Sequence, residues 1–168
     1  MCNAQVNDNV DNKQGTLFDP LTKTYNRDYF DRNHMKMRRN AILSNKRIGI
    51  LVIEFNDLEP AFADKMLLRT AEMIKRNSAM DDVLFRWGEA QLLLLMPRES
   101  ALYLLGKAED IWGCIDKTFS EEMVNGSCHV GGVYHLNNET LDESVVRAYH
   151  KLDEIKSTGS LNYGVDVL

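Results

Sequence analysis

The sequence predicts a mixed α/β fold of the α+β kind, with a ferredoxin-like antiparallel sheet carrying helices. Three observations predict it. Apolar residues recur at helical spacing in four stretches and as short runs or alternations in five. Their order is helix, strand, helix, strand, strand, helix, strand, helix, strand, which contains the strand-helix-strand, strand-helix-strand core of that layout. Finally, 168 residues with 44% apolar and 27% charged side chains suit one globular domain.

Residues 1–16, MCNAQVNDNVDNKQGT, are polar and show no apolar period, so they read as a disordered tail or linker. The folded domain is expected over 17–168. From Asn26 to Ser44, Phe30, Met37 and Ala41 recur among Arg and Lys as on an amphipathic helix, with Asn26 as N-cap. Ile48-Gly49-Ile50-Leu51-Val52-Ile53 is a β-branched run suited to a strand buried on both faces, and it ends in an acid, Glu54. Met66, Leu67, Thr70, Ala71 and Ile74 then mark a helix ending near Asn77. Val83 to Trp87 and Leu92 to Met96 form a hairpin across a four-residue turn containing Gly88, with Pro97 as the stop. Ala101, Leu105, Ala108, Trp112 and Ile115 make the next helical stripe, and Ser127 to Leu136 alternates as a strand. Leu141, Val145, Ala148, Leu152 and Ile155 make the last helix, which Gly159 ends, and Tyr163 to Leu168 is a short final strand. All helices are expected on one face of the sheet.

A net charge of −5 and a pI near 5.4 give phosphate polymers no dominant basic surface, which argues against a nucleic-acid partner. No apolar run approaches the roughly 20 residues of a membrane helix. Cys2, Cys114 and Cys128 are too few and too scattered for a disulfide framework or a zinc site, so a cytoplasmic protein is expected. His34 and His150 lie on helices without evident partners. Met35, Met37, Met66, Met73 and Met96 read as core or rim filling.

Three segments resemble, in order, the GGDEF family, bacterial diguanylate cyclase domains that make cyclic di-GMP from two GTP. Asp19-Pro20-Leu21-Thr22-Lys23-Thr24-Tyr25-Asn26-Arg27 is similar to the family's opening D-x-L-T-x-x-x-N-R. Residues 86–97, RWGEAQLLLLMP, lie over R-Y-G-G-D-E-F-x-x-L-L-P without a gap, and 155–159, IKSTG, over A-K-x-x-G. The resemblance implies a nucleotidyl cyclase-like GGDEF fold from residue 17 to about 166. It also implies a reaction in which a ribose 3′-oxygen attacks an α-phosphate, with carboxylate-held metals and cations stabilising the charge.

Set against that chemistry, the signature reads Gly88-Glu89-Ala90-Gln91-Leu92 in place of Gly-Gly-Asp-Glu-Phe. Ala90 replaces the second metal carboxylate and Gln91 the next acid, so no catalytic residue is expected from the pair. Glu54, with the Phe55 backbone, stands where the family's first metal ligand would be; the other reading is an acid facing water at a strand end. The guanine-reading loop is several residues shorter, its Asn is missing, and Asp64 is its one candidate remnant, at the helix start. With Gly88 and Lys156, Asp64 makes the remnant nucleotide-binding set. The family's product-inhibition motif R-x-x-D falls on 79–82, where Asp82 remains and Ala79 replaces the Arg. The resemblance with these losses implies a degenerate, catalytically inactive domain, a pseudoenzyme acting as a regulatory or protein-interaction module in cyclic di-GMP signal transduction. Its partner is expected to be a protein; a homodimer is compatible with it, and neither membrane nor nucleic acid is expected. No cofactor is required, and Mg²⁺ enters only with a bound nucleotide. The alternatives are a non-catalytic receptor for GTP or a related nucleotide, and a weak or altered cyclase using Glu89.

Overall fold

The computed structural model describes residues 16–100 and 102–166. Residues 1–15 of the tail expected over 1–16, the helical position of Ala101 and the last strand positions 167–168 lie outside the described residues. Nine elements follow in the expected order: α1 (Arg27–Leu43), β1 (Arg47–Asn56), α2 (Pro60–Arg76), β2 (Val83–Gly88), β3 (Gln91–Arg98), α3 (Leu104–Glu121), β4 (Ser127–Tyr134), α4 (Leu141–Thr158) and β5 (Tyr163–Asp166).

The five strands form one sheet in the order β2-β3-β1-β4-β5. The first four strands are antiparallel and give the ferredoxin-like layout, and β5 adds to β4 in parallel. The apolar run of β1 is central, and its residues 48–53 are buried on both faces. Helices cover both faces, not one. Leu51, Ile53 and Phe55 pack with Met66, Leu67, Ile74, Ile111 and Ile115 from α2 and α3, while Ile50 and Val52 pack with Phe30, Ala41, Val145 and Leu152 from α1 and α4. A sheet core apolar on both faces needs a helical layer on each.

Local chemistry explains several boundaries. Asn26 caps α1 by accepting from the Tyr29 N–H at 3.0 Å. Pro60 opens α2 at its first turn, where its missing N–H costs nothing. Thr140 and Glu143 form a capping box on α4, and Gly159 closes that helix in the left-handed region at φ 63°.

Four further expectations are corrected. Pro97 lies within β3 opposite Ile48, because β2 stops at Val83 opposite Leu95 and leaves the other edge of β3 without a partner there. The hairpin turn is two residues, Glu89-Ala90, with Gly88 paired to Gln91. The buried stripe of α3 is Leu104, Ala108, Ile111, Ile115 and Phe119; Ala108 and Ile115 are as expected, but Leu104 and Ile111 take the buried places expected of Leu105 and Trp112, since such apolar neighbours fill two adjacent rows. Met35 is 76% exposed and fills neither core nor rim.

Candidate functional site

The end of β1 meets β3 and α4 on the α1/α4 face of the sheet. Register places Glu54 opposite Gln91, and side-chain alternation puts both on that face. Glu54 is 13% exposed, and its two oxygens have separate donors: the Gln91 amide reaches one at 2.6 Å and the Lys156 ammonium the other at 2.7 Å. The Tyr149 hydroxyl donates to the Gln91 carbonyl oxygen at 2.5 Å. Burial works to raise the Glu54 pKa, but the bonds from Lys156 and Gln91 outweigh it and hold it below the ordinary value. Burial and the nearby Glu54 charge push Tyr149 up to about 12, which keeps it a donor.

Beside this cluster, across β1–β4, Asn56 and His129 approach through Nδ2 and Nδ1 at 3.2 Å. Burial and the Lys156 charge lower the His129 pKa. Both effects favour its neutral imidazole beside the Glu54–Lys156 pair.

The turn is fixed by its own residues. Arg86 donates to the Gly88 carbonyl at 2.6 Å and also to the Glu89 carbonyl, and it lies 3.6 Å from Asp19 of the opening motif. That motif is architectural. Asp19 accepts from the backbone and hydroxyl of Thr22, and Tyr25 exchanges backbone bonds with Leu84 and Arg86 along the outer edge of β2. Arg27 lies over the Trp87 ring at 4.0 Å.

The expected site residues therefore divide. Glu54, Gln91 and Lys156 come together, but as a closed ion pair with an amide. Ala90 packs against the α2/α3 core, and its carbonyl accepts from the Phe55 N–H at 2.9 Å. Gly88 lies beside Gln91, where a Cβ would come within 2.6 Å of the side-chain oxygen. Asp64 does not start α2; the helix begins at Pro60, and Asp64 is exposed in its second turn with no bond to the cluster among the described residues. Glu89 is exposed and does not reach Glu54.

Asp82 also departs from expectation. Position 79 holds no Arg, yet Arg98 from the end of β3 puts Nη2 2.6 and 2.7 Å from its two oxygens, and the Asp82 side chain is 1% exposed. His34, expected without partners, approaches the Phe30 carbonyl and lies 3.3 Å from Asp142. Sequence reasoning missed Tyr149 as well. Its spacing of seven from Lys156 puts both on one helical face, a signal that was present.

Fit to a divalent cation fails on the donor set. Among the described residues the cluster of Glu54, Gln91, Tyr149 and Lys156 has one carboxylate, already paired with an ammonium, where a hard cation needs several free oxygens. Among the described residues, no group of three His, Cys, Asp or Glu side chains converges as a metal site. No helix among them is long and apolar enough to cross a membrane.

Residues 16–162 match the family described as diguanylate cyclase, GGDEF domain. The chain belongs to the GGDEF family. Among curated relatives, diguanylate cyclase DgcM of Escherichia coli K12 is 28% identical over 96 residues, which are 57% of this chain and 23% of that protein. The chain thus matches less than a quarter of that relative's length. The GGDEF domain of DgcB from Caulobacter crescentus, solved in complex with c-di-GMP, superposes with a TM-score of 0.76 at 18% identity, covering 91% of this chain and 97% of that one. Diguanylate cyclase SiaD of Pseudomonas aeruginosa, solved with its activator SiaC, gives 0.66 at 19% identity, covering 92% and 63%. These structural likenesses establish the GGDEF fold.

Proposed function

We propose that this GGDEF domain is a catalytically inactive member that acts by regulatory protein contact in cyclic di-GMP signalling. The observation that carries the reading is the Glu54–Lys156–Gln91 cluster. Phosphoryl transfer between nucleotides needs divalent cations and free positive groups at the phosphates. Here the one acid suited to metal and the one Lys suited to phosphate neutralise each other at 2.7 Å, and the second acid position is Ala90. Opening the pair for a nucleotide costs the folded state an interaction that the ligand must replace.

Three further points support the reading. Gln91 carries no charge, Asp64 lies away from the cluster, and Asp82 is ion-paired with Arg98, although its Oδ1 has no hydrogen-bond partner among the described residues. DgcB was solved with c-di-GMP and SiaD with its activator SiaC, and these two neighbours support a signalling role of this kind. On this reading no metal cofactor is required. Free Cys114 and Cys128 suit the reducing cytoplasm in which the domain would act.

Thermal melting with GTP and Mg²⁺ tests the reading against a nucleotide receptor. No rise in melting temperature is expected at millimolar GTP. A saturable rise lost in Lys156→Met would replace it with the receptor.

A further inference from the structure

The C-terminal end of α1 carries charge of the opposite sign to the chain as a whole. Residues 32–47, RNHMKMRRNAILSNKR, hold six Lys and Arg and no Asp or Glu, in a protein of net charge −5. Among the described residues only Lys46 of the six has a carboxylate partner, Asp81 at 2.5 Å. Arg38 donates to uncharged acceptors, His135 Nε2 at 2.9 Å and the Asn137 carbonyl at 2.8 Å. Arg47 is exposed and stands across the sheet from Arg98, a like charge whose acid is already taken. A local excess of one charge sign on an oppositely charged protein attracts partners of complementary charge. Five of the six have no carboxylate partner among the described residues, and of these Arg38 and Arg47 line a small cavity on this surface.

Two cavities adjoin on this surface. The smaller, about 120 Å³, lies between Arg38, Arg47 and His135. It admits a carboxylate with a water or two and is far below the roughly 300 Å³ of a small-molecule pocket. The larger, about 560 Å³, is lined by Met37, Leu43, Met80, Val83 and Pro97, with polar Asn40 and Ser44 and with Asp81, whose charge Lys46 offsets. Ala41, Lys46 and Ile48 line both. Leu43 is 75% exposed and Met80 fully exposed at its rim. Apolar side chains left in water beside unpaired cations mark an interaction surface more than a fold requirement.

We propose that this end of α1 is a docking site for an acidic amphipathic segment of a partner protein. A carboxylate of the segment enters the smaller cavity between Arg38 and Arg47, and apolar side chains about one helical turn away fill the larger cavity. The proposal rests on the contact function and names the partner's chemistry. Charge selects the partner and its approach, and the apolar cavity supplies most of the affinity. A bilayer meets the same charges, but it presents no side chain to fill two adjoining concavities.

The test uses the full chain and a fluorescent synthetic peptide with Glu and Leu at helical spacing, read by anisotropy. Its Gln-for-Glu counterpart and phosphatidylglycerol vesicles are the comparison probes. The Glu peptide is expected to bind saturably, more weakly with added salt, and at least tenfold tighter than the Gln peptide. Arg47→Glu and Leu43→Ser each weaken it about tenfold, whereas Lys117→Glu on α3 does not. Amide shifts on binding are expected over residues 41–48 and 135–137. The proposal is overturned if the Glu peptide does not bind, if both variants bind as the wild type does, or if vesicles bind and the peptide does not. Concentration-dependent dimerisation abolished by Arg47→Glu would overturn it in favour of a second copy. Failure of the peptide leaves the non-catalytic reading standing, and formation of cyclic di-GMP would remove that reading without touching the docking surface.

Discussion

Glu54 is the residue on which the site turns, and its neighbours decide what it can do. A carboxylate with one oxygen on an ammonium and the other on an amide is a structural ion pair, worth most to the fold when both partners are present. Lys156→Met should therefore destabilise the domain by about 1–2 kcal/mol in urea unfolding, because it leaves a poorly exposed carboxylate with one donor. Adding Glu54→Gln should recover part of that loss, and simple additivity of the two changes would show that the pair is not coupled. A second residue reports on pH. Burial works to raise the Glu139 pKa, but bonds from Arg147, Ser144 and the Leu136 N–H bring it down to about 2. A carboxylate depressed by folding gives stability that is complete above its ordinary value near 4.5 and is lost as pH falls toward 2. The melting temperature of wild type should fall through that window more steeply than that of Glu139→Gln.

At the scale of elements, α4 is the piece that closes the site, since it carries both Lys156 and Tyr149. Its approach to β4 is set by Gly131, where a Cβ would come within 2.8 Å of the Leu152 backbone nitrogen and 2.9 Å of its Cα. Helix backbone cannot yield as a side chain can, so Gly131→Ala should cost about 1–3 kcal/mol and loosen the Glu54–Lys156 contact. Thr140→Ala removes the capping box at the other end of α4 and should cost about 1 kcal/mol. Both are read by denaturant unfolding. Element positions were largely legible in the sequence because their causes are local: Asn26 caps within its own turn, Gly159 stops a helix by its own conformation, and the β1 run is buried on both faces whatever surrounds it. The rows of α3 were not, because Leu104 and Leu105 are equally apolar and only tertiary packing chooses between them.

For the molecule as a whole, the layout of four antiparallel strands followed from element order, but the helices on both faces and the parallel β5 did not. Face assignment depends on the path of the connections, which composition does not encode. The site shows the same division. Loss of the acids at Ala90 and Gln91 was legible as substitution, whereas the pairing of Glu54 with Lys156 spans 102 residues and that of Asp82 with Arg98 crosses a hairpin. Neither leaves a local pattern. What the whole fold adds to the substitutions is support for the proposed inactive reading: Glu54 and Lys156 are bound to each other. The most direct measurement is mass-spectrometric detection of cyclic di-GMP after incubating the pure protein with GTP and Mg²⁺ or Mn²⁺. No product above a protein-free control is predicted, for the wild type and equally for Ala90→Glu. GTP- and metal-dependent accumulation by the wild type, abolished in Glu54→Gln, would contradict the claim.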